Sequence, residues 1–350
     1  MNEEYSELFK NKKILVIGGT GSIGSKIIEE LVKYSPKEIR IFSRDEYKQH
    51  QLRYKYADNQ TIEYILGDIR DRDSLEVASK NIDVIFHCAA LKHVPVSEEM
   101  PEEFIKTNIL GSLNIKKTAI INSVPVVISI STDKAVNPTN VMGLTKAIQE
   151  KVFSSHVIRQ QNNETKFINV RFGNVIGTHG SLFPILYHQI KNNLPITITV
   201  GEMTRFFMSK SDAIELIFWS TLNGKDGDIV IKKMKSVRID QLISEFIHKM
   251  GKDDSYPIKK IGVRVGEKLH ESLITEDELY RTHEQSGFFV ISAYTKNQIE
   301  VNVVKNDNNK DVSQLDQLSS NESSNYLTNT ELSKLIEDYI QEMSLDTSYI

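Results

Sequence analysis

The chain has 350 residues, 39% hydrophobic and 26% charged, with a formal net charge of −4; that length fits one large α/β domain or two smaller ones, and the charge gives no support for a polyanion-binding surface as the main function. The lone cysteine, Cys88, rules out a disulfide within the chain and suits a reducing, cytoplasmic setting. The polar start MNEEYSELFKNKK does not fit a signal peptide, and no apolar run approaches the ~20 residues of a membrane helix.

KKILVIGG predicts a first strand, because Ile14, Leu15, Val16 and Ile17 run without alternation, as in a sheet covered on both faces. SIGSKIIEELVKY then carries helical spacing, with Ile23, Ile27, Ile28, Leu31 and Val32 on one face. EIRIFS, IEYILGD and VIFHCAA predict the next three strands, the last preceded by a short helical stretch around DRDSLEVASK. PEEFIKTNILGSLNIKKTAII is a long helix, VVISIS a fifth strand, GLTKAIQEKVFSSHVIRQ a helix and KFINVRFGNV another strand. Strands and helices alternating this regularly predict an α/β fold, a Rossmann-type doubly wound parallel sheet. The right-handed crossover rule puts helices on both faces.

Beyond Gly173 the rhythm loosens. GSLFPILYHQIKNN and PITITV leave the sheet, SDAIELIFWSTLNG is helical, DIVIKKM is a strand and RIDQLISEFIHKM an amphipathic helix. Residues 302–325 are rich in Asn, Asp, Ser, Gln and Lys and read as a loop or mobile tail. A last helix is expected near TNTELSKLIEDYI, with Thr328 and Glu331 as a capping box. The expected segmentation is a nucleotide-binding domain over residues 1–172 plus about 205–235 and a smaller mixed α/β substrate-binding domain over about 173–204 plus 236–300. A polar loop and helix fill 301–350.

GGTGSIG sets Gly18, Gly21 and Gly24 between the first strand and the first helix. Glycines there let backbone amides approach a pyrophosphate, and the helix N-terminus favours its charge. Thr20, Ser22 and Ile23 belong to the same turn. The second strand ends in Ser43-Arg44, with Lys48 a helical turn further on, where an NAD-preferring chain usually has an acid. A guanidinium there pairs with a 2′-phosphate and stacks on adenine, so the expected cofactor is NADP, with NAD as the alternative. The bland reading is that Arg44 pairs with Asp45 or Glu46. Asp68 and Ile69 in LGDIRD are expected near the adenine, and small Ala89 and Ala90 let the cofactor cross the sheet edge. Lys92 and His93 follow the fourth strand and are expected to face the cleft; Asn108 lies in the helix crossing behind the catalytic strand, in polar contact with the cofactor site.

The run STDKAVNPTNVMGLTK ends in Met142-Gly-Leu-Thr-Lys146. Many nucleotide-cofactor enzymes have Tyr-x-x-x-Lys here, and the tyrosine takes the proton of a substrate hydroxyl. A thioether cannot. Lys146 is expected to hold the nicotinamide ribose.

With GGTGSIGS, IFSRDEYKQ, GDIRD, AALKHVPVSE, STDKAVNPTNVMGLTK, VRFGNVIGTHGS, MTRFFM and VRVGEKLHE together, the chain resembles the extended short-chain dehydrogenase/reductases. More narrowly, it is similar to the soluble short form of the UDP-N-acetylglucosamine 4,6-dehydratases, which include polysaccharide-biosynthesis proteins. These motifs span about Lys12 to Glu271. The resemblance implies a redox-neutral sequence. A hydride leaves C4 of the hexose, the 4-ketone acidifies C5–H, water leaves across C5 and C6, and the hydride returns to C6. It assigns Asp133 as the acid at the C6 hydroxyl and Lys134 as the base at C5, beside Thr132. The bland reading of Asp133 and Lys134 is a solvated ion pair. To act as a base Lys134 must be neutral, so burial or a neighbouring cation such as Lys146 is expected to lower its pKa. Some dehydratases with NPTNVMG carry the methionine, and the O4 proton then passes to Asp133, Thr132 or a water.

The resemblance further implies nucleotide-sugar contacts from Lys92, His93, Asn174, Ser181, Arg205, Arg264 and Glu267, with Val265 standing where the family usually has proline. The alternative for each arginine is a salt bridge. His179 and His270 read as packing or surface histidines, and no metal-ligand spacing is present. The expectation is a cytoplasmic homo-oligomer that acts on UDP-N-acetylglucosamine with C5 configuration retained, touching neither nucleic acid nor membrane. The alternatives are a C5-inverting dehydratase, a nucleotide-sugar 4-epimerase and a non-catalytic NADP-binding sensor.

Overall fold

The computed structural model describes residues 3–155, 165–293 and 319–345. Its centre is a nine-stranded sheet. Seven strands run parallel: β1 (Lys13–Ile17), β2 (Glu38–Ser43), β3 (Ile62–Leu66), β4 (Val84–His87), β5 (Val126–Ile130), β6 (Lys166–Arg171) and β10 (Ile229–Lys232). An antiparallel hairpin, β13 (Thr282–Gln285) and β14 (Phe288–Ile291), extends the β10 edge. The spatial order is β13-β14-β10-β6-β5-β4-β1-β2-β3. Three small strands, β7 (Asn174–Val175), β9 (Thr204–Met208) and β11 (Lys235–Arg238), form a second sheet, and β8 (Ile196–Ile198) pairs with β12 (Ile258–Lys260).

The unbroken apolar runs become the central strands, as expected. Ile14 to Ile17 are at most 1% exposed, which is why no alternation shows in the sequence. The helix Ser22–Leu31 turns Gly24, Ile27, Ile28 and Leu31 inward. A second core gathers Phe183, Leu186, Val237, Leu242 and Phe246 with Leu332, Ile336 and Tyr339 of the last helix, Asn329–Leu345. Thr328 and Glu331 cap that helix reciprocally, at 2.8 Å and 3.3 Å.

Three features depart from the expected layout. The hairpin β13–β14 lies within residues 236–300 yet joins the large sheet; its turn, Ser286-Gly287, has both φ angles positive, the geometry of tight hairpins. Within residues 205–235, β9 pairs with β7 and β11 in the smaller sheet. Of the stretch expected to be a mobile tail, residues 302–318 lie outside the described residues, but Ser320 and Asn325 are buried, at 0% and 2% exposure.

Strand order reverses direction between β1 and β4, with β2 and β3 to one side and β5 and β6 to the other. Doubly wound sheets open a crevice at the carboxyl ends of the strands at such a point.

Candidate active site

The loops after β1 to β6 at that edge contribute to one cleft with three adjoining chambers. Gly18 to Gly21 follow β1, Ser43 and Arg44 close β2, and Gly67 to Ile69 follow β3. Cys88 to His93 follow β4, Ser131 to Lys134 follow β5, and Phe172 to Asn174 follow β6.

The first chamber, about 270 Å³, is lined by Gly18, Thr20, Gly21, Ser43, Arg44, Lys48, Asp68, Ile69, Ala89 and Ala90, all expected cofactor contacts. Gly18 has φ +78°, and a Cβ there would lie 2.6 Å from the Ala89 nitrogen. Only glycine lets β1 and β4 approach this closely. Arg44 is 4.0 Å from Asp68, not paired with Asp45 or Glu46. Asp45 instead caps the helix Glu46–Lys55 and pairs with Lys48 at 3.4 Å. Asp68 is gripped by Arg70 at 2.7 Å, which leaves the Arg44 side chain, 57% exposed, loosely held. The wall suits a dinucleotide: glycines at the helix start, small residues over the sheet edge, and cations at the far end.

Three expected cofactor residues are not in any chamber wall. Ser22 turns to His179, accepting its backbone N–H at 3.0 Å and bonding Nδ1 at 2.7 Å. Gly24 packs the helix start on Gly18 and Gly19. Asn108 is fully buried: its Oδ1 accepts the Leu91 N–H at 2.9 Å, and its Nδ2 donates to the Leu91 carbonyl at 2.9 Å and to Thr145 Oγ1 at 3.0 Å. It sits in a π-helical turn, Ile105–Leu110, inside the long helix. Asn108 therefore positions the loop that carries Lys92 and has no side-chain atom left for a cofactor. Its neighbour Thr107 lines the first chamber instead.

The middle chamber, about 290 Å³, is lined by Ile23, Lys92, His93, Thr132, Lys134, Met142, Lys146, Asn174 and Ser181 among others. Met142 is 3% exposed, so the thioether is part of a closed wall. Asn140 caps the helix Val141–Ser154 by accepting the Gly143 N–H at 2.7 Å. A side chain at 143 would collide with the Lys134 carbonyl oxygen, so Gly143 seats the Ser131–Lys134 loop on this helix. Lys146 donates to the Ile130 carbonyl at 2.6 Å and to Gln149 at 2.9 Å. Burial pulls its pKa down to about 8, against the smaller opposing pull of Glu150. Burial also keeps neighbouring His87 neutral, down at about 3, and pushes the Cys88 thiol up to about 12.

Asp133 and Lys134 differ sharply in placement. The Asp133 side chain is wholly buried and lines no chamber; its Oδ1 takes hydrogen bonds from Thr132 at 2.9 Å and Lys134 at 3.1 Å. Its Oδ2 has no hydrogen-bond partner among the described residues. Lys134 is 23% exposed and lines both the middle and the outer chamber. Its pKa runs opposite to the expectation. Burial alone pushes the ammonium down, but Asp133 and then Glu271 outweigh it, and the net shift is upward. Asp133, Glu271 and Arg205, and not the expected Lys146, are the largest charges acting on it. Glu271, only 2% exposed, is the site residue that sequence reasoning missed, though VRVGEKLHE contains it.

The outer chamber, about 290 Å³, is lined by Lys92, His93, Asn174, Ser181, Arg205, Arg264, Glu267, Lys268 and Glu271. Arg205 is 7% exposed and donates to the carbonyls of Thr204, Leu269 and Lys268 at 2.8 to 3.1 Å. It holds the 267–271 loop in place. Arg264 is exposed, its N–H bonded to Glu267 at 3.3 Å. His270 bonds Thr204 at 2.8 Å, a packing role as expected.

A family profile described as "Polysaccharide biosynthesis protein" matches residues 14–293. An uncharacterised membrane protein of Methanocaldococcus jannaschii is 43% identical over 84% of this chain and 90% of its own length. No helix among the described residues here is long and apolar enough to cross a membrane. A protein of Rickettsia bellii named UDP-glucose 4-epimerase is 40% identical over 81% of this chain and 84% of its own length. The crystal structure of Pen from Bacillus thuringiensis superposes with a TM-score of 0.85 at 36% identity, covering 94% of this chain and 99% of that one. DesIV from Streptomyces venezuelae, a dTDP-glucose 4,6-dehydratase with NAD bound, shares the fold at TM-score 0.67 and 22% identity, over 73% of this chain and 86% of its own.

Proposed function

The chain belongs to the polysaccharide biosynthesis protein family, and on that footing we propose that it is a nucleotide-sugar 4,6-dehydratase. Its substrate is UDP-N-acetylglucosamine, C5 configuration is kept, and NADP is recycled within each turnover. One observation carries the reading. Lys134 faces two chambers at once, tied to a buried carboxylate, while Met142 fills the place of the proton-accepting phenol. A 4-epimerase moves a hydride off and back onto C4 and needs the phenol. A dehydratase must also strip C5–H and protonate the departing C6 hydroxyl, which calls for an extra acid-base pair.

A dinucleotide held there would supply the hydride acceptor and donor. Gly18, Thr20 and Gly21 would cradle its pyrophosphate, Arg44 and Lys48 its adenosine end, and Lys146 the nicotinamide ribose. The exposed Arg264, with Asn174 and Ser181, would contact the diphosphate of the sugar nucleotide; Arg205 holds the loop from which Arg264 projects. Lys134 takes the C5 proton as the C6–O bond breaks. The O4 proton passes to the Asp133 carboxylate as C4 is oxidised, and Asp133, which reaches the cavity only through Thr132 and Lys134, then gives that proton to the leaving C6 hydroxyl. Because Lys134 rests as an ammonium, it must lose a proton before the C5 step.

The named rickettsial relatives favour a second reading, a 4-epimerase. Incubation with UDP-N-acetylglucosamine followed by mass spectrometry separates the two. The dehydratase product is lighter by one water; an unchanged mass with an altered C4 centre makes the chain an epimerase.

A further inference from the structure

Glu271 lines the outer chamber although only 2% of it is exposed. A carboxylate that deep demands compensation. Its Oε1 lies 3.8 Å from Lys134 Nζ and 3.9 Å from Arg205 Nε. Its Oε2 lies 3.4 Å from Lys268 Nζ and takes no hydrogen bond among the described residues. Cations thus surround the carboxylate at distances longer than a good hydrogen bond.

Its backbone, by contrast, is fixed in both directions. The Glu271 N–H donates to Ser320 Oγ at 2.8 Å, and the Ser320 N–H donates to the Glu271 carbonyl at 2.8 Å. Ser320 Oγ also meets Thr204 Oγ1 at 2.6 Å. A buried serine 49 residues away therefore holds Glu271 opposite Lys134, while the carboxylate stays free to take a proton.

The charges facing Glu271 are Asp133 and Lys134 from the loop after β5, Arg205 from β9, and Lys268 from its own loop; Glu267 stands against Arg205 at 3.6 Å. Burial, then the nearness of Asp133, pushes Glu271 upward. A reluctant carboxylate beside a lysine held as an ammonium is a pair between which a proton can move.

We propose that Glu271 is the positioning residue that governs the Lys134 proton, taking it when the amine is needed at C5 and returning it afterwards. The inference rests on the 4,6-dehydratase reading. In the step an N–H bond of Lys134 breaks and an O–H bond of Glu271 forms; the proton returns once Lys134, recharged from C5, has handed a proton back to C5 as C6 is reduced, and neither side chain changes oxidation state. Lys134 Nζ swings from Asp133 Oδ1 towards Glu271 Oε1, closing a gap of 3.8 Å.

Glu271→Gln keeps the shape and removes the charge. Labelling of Lys134 with acetic anhydride across pH, read by peptide mass spectrometry on the full chain, reports its protonation without any turnover. The half-labelling pH falls by about one unit in Glu271→Gln, as expected when one of two carboxylates within ~4 Å is lost. The acid-side limb of kcat/KM for UDP-N-acetylglucosamine moves to lower pH with it, and exchange of C5–H for solvent deuterium slows about tenfold or more. Should Glu271→Gln fail to fold, Glu271→Asp reads the same shift at about half size. An unchanged half-labelling pH in the variant that folds overturns the proposal. If no water is lost from the sugar while the labelling pH still shifts, the dehydratase reading fails and the Glu271–Lys134 coupling stands.

Discussion

Replacing Asn108 by alanine tests whether the cleft is built from behind. The side chain makes three hydrogen bonds, at 2.9, 2.9 and 3.0 Å, two of them to the backbone of Leu91. Alanine leaves the Leu91 N–H and carbonyl without that partner. Each orphaned buried group costs about 1 to 3 kcal/mol. Leu91 is only half-buried and water reaches part of the gap, so the low end applies to both, about 2 to 3 kcal/mol in total. The loop that loosens carries Lys92 and His93, which line two chambers. KM for the sugar nucleotide should rise several-fold with a smaller fall in kcat. Urea denaturation followed by Trp219 fluorescence, with steady-state kinetics beside it, measures both. Destabilisation under about 0.5 kcal/mol, the range of an ordinary surface change, together with wild-type kinetics would refute the reasoning.

Lys146 offers a pH test with a definite sign. Its folded pKa of about 8 lies below the ordinary 10.5, so between those values the unfolded chain binds the extra proton. The contribution of this residue to stability therefore rises as pH climbs from about 8, by on the order of 3 kcal/mol in all. The gap in unfolding free energy between the wild type and Lys146→Met should grow in favour of the wild type from pH 7.5 to 10; a flat difference contradicts the assignment. Arg44→Ala should weaken NADP binding about tenfold or more and leave NAD nearly unchanged, since a 2′-phosphate loses its guanidinium; calorimetric titration with each dinucleotide decides. Asp133→Asn and Lys134→Ala should each abolish turnover, whereas Met142→Tyr should leave it near wild type; a near-normal rate in either of the first two counts heavily against the proposed pair.

The sequence displayed the sheet because its central strands are buried on both faces, and unbroken apolar runs such as Ile14–Ile17 are hard to mistake. It displayed the first chamber because glycines and small residues at strand ends have few other uses. It hid what depends on distant segments meeting. Glu271 looks like one acid among many until the chain brings it 3.8 Å from Lys134. Ser320 sits in a stretch whose composition reads as solvated, yet two backbone bonds and Thr204 bury it completely. The protonation of Lys134 was misjudged for the same reason. Burial was foreseeable, but the carboxylate of Glu271, which helps to outweigh it, lies 137 residues further along the chain. The hairpin at Ser286-Gly287 was not read from the sequence: its FFVI run and turn residues lie among irregular elements, and only the structure adds it to the β10 edge.

The measurement closest to the central claim is proton NMR of the product formed from UDP-N-acetylglucosamine in deuterated buffer, run with the wild type and with Lys134→Ala. The account predicts a 4-keto-6-deoxy sugar with one deuterium, at C5 in its original configuration, and no product from the variant. A product of unchanged mass with protium at C5, or deuterium entering equally fast without the lysine, would contradict it.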